Sequence, residues 1–313
     1  MDQFIVSLMN GIVYGLLLFM VSAGLTLIFG MMGVLNFAHA SFYMLGAYFA
    51  YTLQGVIGFW PAVAAAPVLV GLIGVAVERL FLRRVHHHGH AHELLLTFGL
   101  SFIIAESIKL FYGNFPVDYR IPAALDVPAF SVGGAQYPVY RLLMGGIAIA
   151  MFAAIYLLLT RTRVGIVVRS AIYKPRMAEA LGHNVPLVFM GVFGVGAALA
   201  GLAGAVAGAF YTTNPNMALE LGVMVFVVVV VGGLGSLGGA MLASLLIGLV
   251  TSLAVGVDRS LADLLALVGA GDWARGVGGL LTLKVSSLSA TLPFALMLLI
   301  LLVRPSGLMG EKG

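Results

Sequence analysis

Gly33-Val34-Leu35-Asn36-Phe37-Ala38-His39-Ala40-Ser41 separates two long apolar runs without a single formal charge. A stretch of that kind need not be an aqueous loop. A helix broken at membrane depth exposes N–H and C=O groups, which are tolerated only beside a cavity or a protein partner. Two roles are open to Asn36, His39 and Ser41: lining or shaping a route for a solute, or capping the break. Thr97, in a later apolar run, is a weaker member of the same set.

The composition around this stretch points the same way. The 313 residues are 61% hydrophobic and 9% charged, with a mean hydropathy of +1.10. Soluble domains carry roughly 25% charged residues. An ordinary soluble enzyme, a disordered chain and a collagen-like fibre are excluded. The absence of cysteine excludes a disulfide framework, a Cys-ligated zinc and an iron–sulfur cluster. The net charge of +4 is too small and dispersed for nucleic acid. Met1-Asp2-Gln3 lacks the basic start of a secretory signal, so the first helix is expected to be retained.

Apolar segments fall at about 4–29, 36–54, 61–82, 94–112, 141–160, 189–210, 222–235, 238–256 and 286–303. As one helix, 222–256 would span about 52 Å, too long for a ~30 Å hydrocarbon core. The run Gly232-Gly-Leu-Gly-Ser-Leu-Gly-Gly239 divides it. The expected fold is all-α: a polytopic transmembrane helical bundle with broken helices, about 8–10 segments, in a single transmembrane domain over 1–313. The Pro-rich stretch 113–140 and the segment 257–285, which could include a short surface helix, lie between spans.

Basic residues set the orientation. Arg79, Arg83 and Arg84, the loop with Arg161, Arg163, Arg169, Lys174 and Arg176, and the tail with Arg304 and Lys312 hold ten basic residues against four acidic ones, Glu78, Glu93, Glu179 and Glu311. The rest of the chain holds six against eight. Lys and Arg accumulate on the cytoplasmic side, so these regions and the C-terminus are expected there. Parity then puts the N-terminus outside.

Several motifs have plain readings. Gly233-Leu-Gly235-Ser-Leu-Gly238, after the strand-like run Val227–Val231 and with Asp258 beyond it, matches a dinucleotide fingerprint. The flanks are membrane spans rather than a soluble βαβ unit, so a tight turn or close helix approach fits better. In His86-His-His-Gly-His-Ala-His92, the pairs His86/His90 and His88/His92 would share a helical face. No acidic second shell is evident, and the tract reads as a solvated basic loop with no metal. Gly11-x-x-x-Gly15, Ala197-x-x-x-Gly201 and Gly204-x-x-x-Gly208 allow close helix packing. Glu106 and Lys109 can pair on one helix face.

The loop 161–188 carries the strongest functional pattern. In Ala171-Ile-Tyr-Lys174-Pro175-Arg176-Met177-Ala178-Glu179-Ala180-Leu181-Gly182-His183-Asn184, Pro175 suits a first helical turn and Gly182 a stop. Met177, Ala180 and Leu181 would share one side. Such a helix can dock into a soluble partner or rest on anionic lipid.

Gly24-Leu-Thr-Leu-Ile-Phe-Gly30, Leu35-Asn-Phe-Ala-His-Ala-Ser41, Thr97-Phe-Gly99, Glu179-Ala-Leu-Gly182, the glycine turn at 232–239 and Arg304-Pro-Ser-Gly-Leu308 resemble the branched-chain amino acid ABC transporter permease family over nearly the whole chain. The resemblance implies a multi-pass protein of the bacterial inner membrane, with its N-terminus periplasmic. It implies an importer with a second homologous permease subunit, two cytoplasmic ATP-binding subunits and a periplasmic solute-binding protein. It makes 171–184 the coupling helix, through Lys174, Pro175, Arg176, Met177, Glu179, Leu181 and Gly182. The cargo stays open between branched-chain amino acids and related small amphipathic solutes, since the family also handles urea, short amides and aromatic acids. The long 257–285 segment and the His tract are departures from the family pattern.

No enzyme activity and no cofactor are expected. There is no G-x-x-x-x-G-K-[ST], and no lysine follows a glycine, so ATP hydrolysis belongs to a partner. The competing class is an ion-gradient-driven secondary transporter, which commonly places charged groups at the midplane. A membrane-embedded hydrolase would need a clustered acid, base or nucleophile, which the sequence lacks.

Overall fold

A computed structural model describes residues 2–132, 135–257, 260–266 and 269–310. Asp258, Arg259, Glu311 and Lys312, used in the charge and fingerprint readings, lie outside the described residues. Helix α1 (Asp2–Met32) is followed by the irregular segment 33–38 and α2 (His39–Ile57). After a turn at Gly58, α3 (Phe59–Val77) continues through a π-turn at Glu78–Leu82 into α4 (Arg83–Val85) and a 3-10 turn at His86–His88. Then come α5 (His90–Tyr112), strands β1 (Pro128–Val132) and β2 (Ala135–Pro138), and α6 (Val139–Arg161). Two shorter helices, α7 (Arg163–Tyr173) and α8 (Pro175–Ala180), lead to α9 (Val185–Ala207), α10 (Met217–Gly232) and α11 (Leu237–Gly256). Last are α12 (Leu261–Ala266), α13 (Gly271–Val277) and α14 (Leu292–Val303).

Each expected apolar segment holds a helix, and among the described residues six helices are long and apolar enough to cross a membrane. The all-α reading holds. Three details differ from expectation. The second segment becomes helical at His39 rather than 36, because Asn36 turns the backbone. The last is helical only from Leu292, where Pro293 occupies the first turn and cannot donate to the turn before it. In the Pro-rich stretch, β1 and β2 form an antiparallel hairpin that opposes Phe130 to Tyr137, with ring centroids 5.3 Å apart. Segment 257–285 holds the short helices α12 and α13.

Glycine lets the long helices touch backbone to backbone. α1 and α11 run antiparallel, and a Cβ at Gly11 or Gly15 would lie 2.9 Å from Leu249 Cα or 2.8 Å from Leu245 Cα. α9 packs antiparallel to α3: a Cβ at Gly74 would meet Ala197, and one at Gly201 would meet Val70. Gly24 and Gly196 meet where α1 and α9 cross.

These contacts outline a repeat. In both α1–α2–α3 and α9–α10–α11, a long helix ends, an irregular segment turns back, and a second helix starts inside the bundle. The two turns match bond for bond. Asn36 Oδ1 accepts from the Ala38 N–H at 3.0 Å, and Asn214 Oδ1 from the Asn216 N–H at 2.8 Å. The next N–H groups, of His39 and Met217, donate to the carbonyls of Asn36 and Asn214, each at 3.2 Å. Each repeat packs its first helix on the other's third. They are inverted: α2 ends beside the 113–138 loop, where Gln54 donates to the Arg120 carbonyl. α10 ends at the opposite face.

At that face the C-terminal segment closes α10. Leu308 N–H donates to Val231 O at 2.8 Å and Met309 N–H to Gly232 O at 3.0 Å, beyond a left-handed Gly233. Gly30, Gly235, the basic cluster at 79–84, α8 and Arg304 share this face, and the start of α1 lies at the other. Loop 113–138 is tied down there by Tyr119, whose hydroxyl donates to Ala205 O at 2.7 Å. Burial raises its phenol above the usual range.

A Cβ at Gly46 would stand 2.5 Å from Gly201 Cα, where α2 meets α9. Gly46→Ala should lower the thermal midpoint of the purified chain, by the ~1–3 kcal/mol typical of overpacking. Gly55→Ala, where a Cβ meets nothing within 4 Å, should not lower it, since Ala favours the helix over Gly.

Candidate functional site

The broken segment opens onto a cavity of about 270 Å³. Asn36, His39 and Ser41 line it from the start of α2. Phe98, Ser101 and Phe102 face it from α5, and Ala218, Gly222 and Phe226 from α10. The cavity therefore sits between the two inverted helix starts. No Asp, Glu, Lys or Arg lines it among the described residues.

Each of the expected residues has a distinct place. Asn36 is 3% exposed; its Oδ1 caps the turn while its Nδ2 has no hydrogen-bond partner. The two roles read from the sequence are thus both open to one side chain. His39 is buried, and its Nε2 donates to Val21 O at 2.9 Å, which fixes the proton on that nitrogen because a carbonyl only accepts. Its Nδ1 is unpartnered. This bond ties the second helix to the middle of the first. Ser41 is buried and faces the cavity.

Thr97 has a different position. It is fully buried and is not among the residues that line the cavity. Its hydroxyl donates to Glu93 O at 3.0 Å and accepts from the Phe37 N–H at 3.2 Å. Thr97 thereby fastens the irregular segment to α5. Sequence reasoning missed the aromatic side of the cavity. Phe37 stacks on Phe226 with centroids 6.3 Å apart, and Phe98 sits edge-on to Phe102 at 5.0 Å. Phe98 and Phe102 are one helical turn apart, and the fold brings them to Phe37 and Phe226.

The basic face carries the second group. Thr162 Oγ1 caps α7 by accepting from the Gly165 N–H. α8 starts at Pro175 and stops at Gly182, which is left-handed at φ +85°. Gly182 N–H donates to Glu179 O at 2.9 Å and His183 N–H to Ala178 O at 3.0 Å, the bonds of a Schellman stop. Ala178 packs on Ala171 and Val185. Met177 and Leu181 are 58% and 74% exposed, and Lys174, Pro175, Arg176 and Glu179 are exposed too.

The His tract differs from expectation. Gly89, at φ +94°, breaks the helix, so His86 and His90 do not share a helical face. An acidic partner is present after all. Buried Glu93 accepts from His86 Nδ1 at 2.5 Å and from His90 Nδ1 at 3.2 Å. No metal-holding cluster forms among the described residues. Lys109 and Glu106 pair at 2.7 Å on the exposed side of α5, and Gly233–Gly238 lies at a helix–helix turn after the helical Val227–Val231.

The family model described as branched-chain amino acid transport system / permease component matches residues 7–301. The chain is 26% identical to the high-affinity branched-chain amino acid transport system permease protein BraD of Pseudomonas aeruginosa, covering 99% of this chain and 96% of that one. It is 26% identical to the Escherichia coli protein LivH of the same description, over 98% and 96%. With the probable branched-chain amino acid transport permease protein LivH of Methanocaldococcus jannaschii it shares 28% identity, over 96% and 91%. A solved structure, PsaBC from Streptococcus pneumoniae in complex with Fab, aligns at a TM-score of 0.48 with 10% identity, over 95% of this chain and 91% of that chain.

Thr97→Val should leave the Phe37 N–H without its acceptor and destabilise the chain by about 1–3 kcal/mol. Thr97→Ser should restore the thermal midpoint. Equal midpoints for all three proteins would show that the fastening is not needed.

Proposed function

The chain belongs to the branched-chain amino acid transport permease family, and on that premise we propose that it is the membrane-spanning permease subunit of an ABC importer. It carries branched-chain amino acids, or related small amphipathic solutes, from a periplasmic binding protein to the cytoplasm. The single observation that supports the route is the uncharged cavity between two inverted helix starts. There a small solute finds hydrogen-bonding groups and apolar walls, but no ion pair to hold it. Asn36 and Ser41 face the solute; His39 and Thr97 shape the route by fixing the backbone that carries them.

The face with the excess of Lys and Arg is cytoplasmic, which places the C-terminus inside and the start of α1 in the periplasm. Two ATP-binding subunits dock on that face, and a second, homologous permease completes the membrane unit. α8 is the coupling helix. It begins at Pro175 and is stopped at Gly182, its Ala178 is packed on neighbouring helices, and Met177 and Leu181 project outward to enter a groove on the ATPase, as helices do in partner grooves. Lys174, Arg176 and Glu179 orient it. A secondary transporter is less well supported, because Glu106 and Lys109 neutralise each other on an exposed face.

The test uses the reconstituted complex. Replacing Met177 and Leu181 with Glu should release the ATPases or uncouple hydrolysis from uptake, while the chain keeps its thermal midpoint. Co-purification and coupled hydrolysis that survive the double substitution would remove α8 from the interface. The isolated chain should hydrolyse no ATP and should give no gradient-driven uptake in liposomes; leucine uptake by the chain alone would favour the secondary transporter.

A further inference from the structure

We propose that Glu220 is the receptor for the cargo's ammonium group: an unpaired carboxylate at membrane depth, on the rim of the cavity, that takes a small amine-bearing solute by its cationic end while the side chain enters the cavity. The inference rests on the transport reading above and names the ligand chemistry of that same cavity.

Three observations carry it, and the first is depth. The sequence leaves Glu220 just outside the apolar segment at 222–235, but the helix begins earlier, at Met217. Gly232 ends α10 at the basic face, and Glu220 stands twelve residues before it, about 18 Å along the helix at 1.5 Å per residue. Toward the other face, Thr213 is bridged to Val117 of the 113–138 loop. Glu220 therefore lies well inside a ~30 Å hydrocarbon core. It is exposed on the surface of the bundle, and its carboxylate has no hydrogen-bond or ion-pair partner among the described residues. An ionisable side chain at that depth is costly against lipid and is kept where it meets a partner or a route. A carboxylate in the first turn of a helix also complements the helix dipole; that role needs no ligand, and the test below separates the two.

The second is the cavity beside it. Leu219 and Val223, before and after Glu220 on α10, line the cavity and are 64% and 52% exposed. Phe37, Phe98 and Phe102, also on the lining, are about half exposed. The cavity thus opens through the side of the bundle, with Glu220 on its rim. On the transport reading the second permease covers that side and keeps lipid out. The third is what the cavity offers. The Ser41 hydroxyl is buried on the lining and makes no hydrogen bond among the described residues, so it is free for a polar group of a solute. The aromatic rings attract a cation through their faces and give an aliphatic side chain an apolar wall. Neither Lys nor Arg lines the cavity among the described residues, so an anion finds no counter-ion there. Of the two charged ends of a zwitterion, the ammonium is the one that meets its opposite at this depth.

The absence of cysteine allows a clean test. Ser101, on the cavity lining, is replaced by Cys in the assembled complex in nanodiscs without ATP, and thiol labelling of this chain is followed by mass. The readout is the ratio of labelling rates without and with ligand. Leucine and isoamylamine, which is leucine without the carboxylate, should each slow labelling by about tenfold at ~10 times the dissociation constant. Isocaproate, which keeps the side chain and carboxylate but lacks the amino group, should not. Glu220→Gln keeps the shape and removes the charge, so protection should vanish while the second permease still co-purifies. Glu220→Asp should retain part of the protection. Protection by isocaproate equal to that by isoamylamine, full protection in E220Q, or no protection by either amine would each overturn the receptor. Loss of the second permease from the E220Q complex would pair Glu220 with a cation of that subunit and overturn it too. Should E220Q fail to fold, the three-ligand comparison on the S101C chain decides alone. Protection by isoamylamine without leucine would sink the branched-chain cargo and leave the ammonium receptor standing.

Discussion

A peptide group freed inside a hydrocarbon layer must find a partner, and the rest of this structure answers to that requirement. Two helices start in mid-bundle, and each start exposes backbone that lipid cannot satisfy. The chain meets most of the demand with its own side chains. Asn36 and Asn214 close matching turns, Thr97 takes the Phe37 N–H, and His39 links the second helix to a carbonyl of the first. Asn36 Nδ2 and His39 Nδ1, on two residues that line the cavity, stay buried without a partner. The cavity beside the two broken segments is lined without an Asp, Glu, Lys or Arg among the described residues.

Close packing makes the arrangement possible. Backbone contacts between α1 and α11, between α3 and α9, and between α2 and α9 leave no room for a Cβ at several glycines. The two irregular segments are held between these pairs and have little freedom to drift. Rigidity here also serves the basic face. α8 follows α7 and leads directly into α9, and α9 packs on α1, α2 and α3. A displacement applied to α8 thus reaches the helix that frames one of the two broken segments.

Much of this was legible in the residues. Apolar run lengths give the helices, the uncharged stretch at 33–41 gives the break, and Pro175 with Gly182 gives the short helix on the basic face. The inverted repeat was not legible, because it is a likeness of geometry rather than of letters: the two turns share an asparagine and almost nothing else. A polar side chain that turns a backbone looks the same in sequence as one that contacts a solute. Only the fold separates Thr97, which fastens, from Asn36, which also faces the cavity. The His tract misled for a related reason. Helical spacing pairs His86 with His90, but a left-handed glycine intervenes, and Glu93, downstream of both, draws them together instead.

The segment that closes α10 gives the chain an order of completion. The last carbonyls of α10 are taken up by Leu308 and Met309, which are synthesised only after α11 and α14. Until those residues emerge from the ribosome, a helix at the heart of the bundle has an unfinished end, and a chain cut short before Gly307 keeps it permanently. An end of that kind belongs with the unpaired edges that leave a partly folded chain open to misassembly.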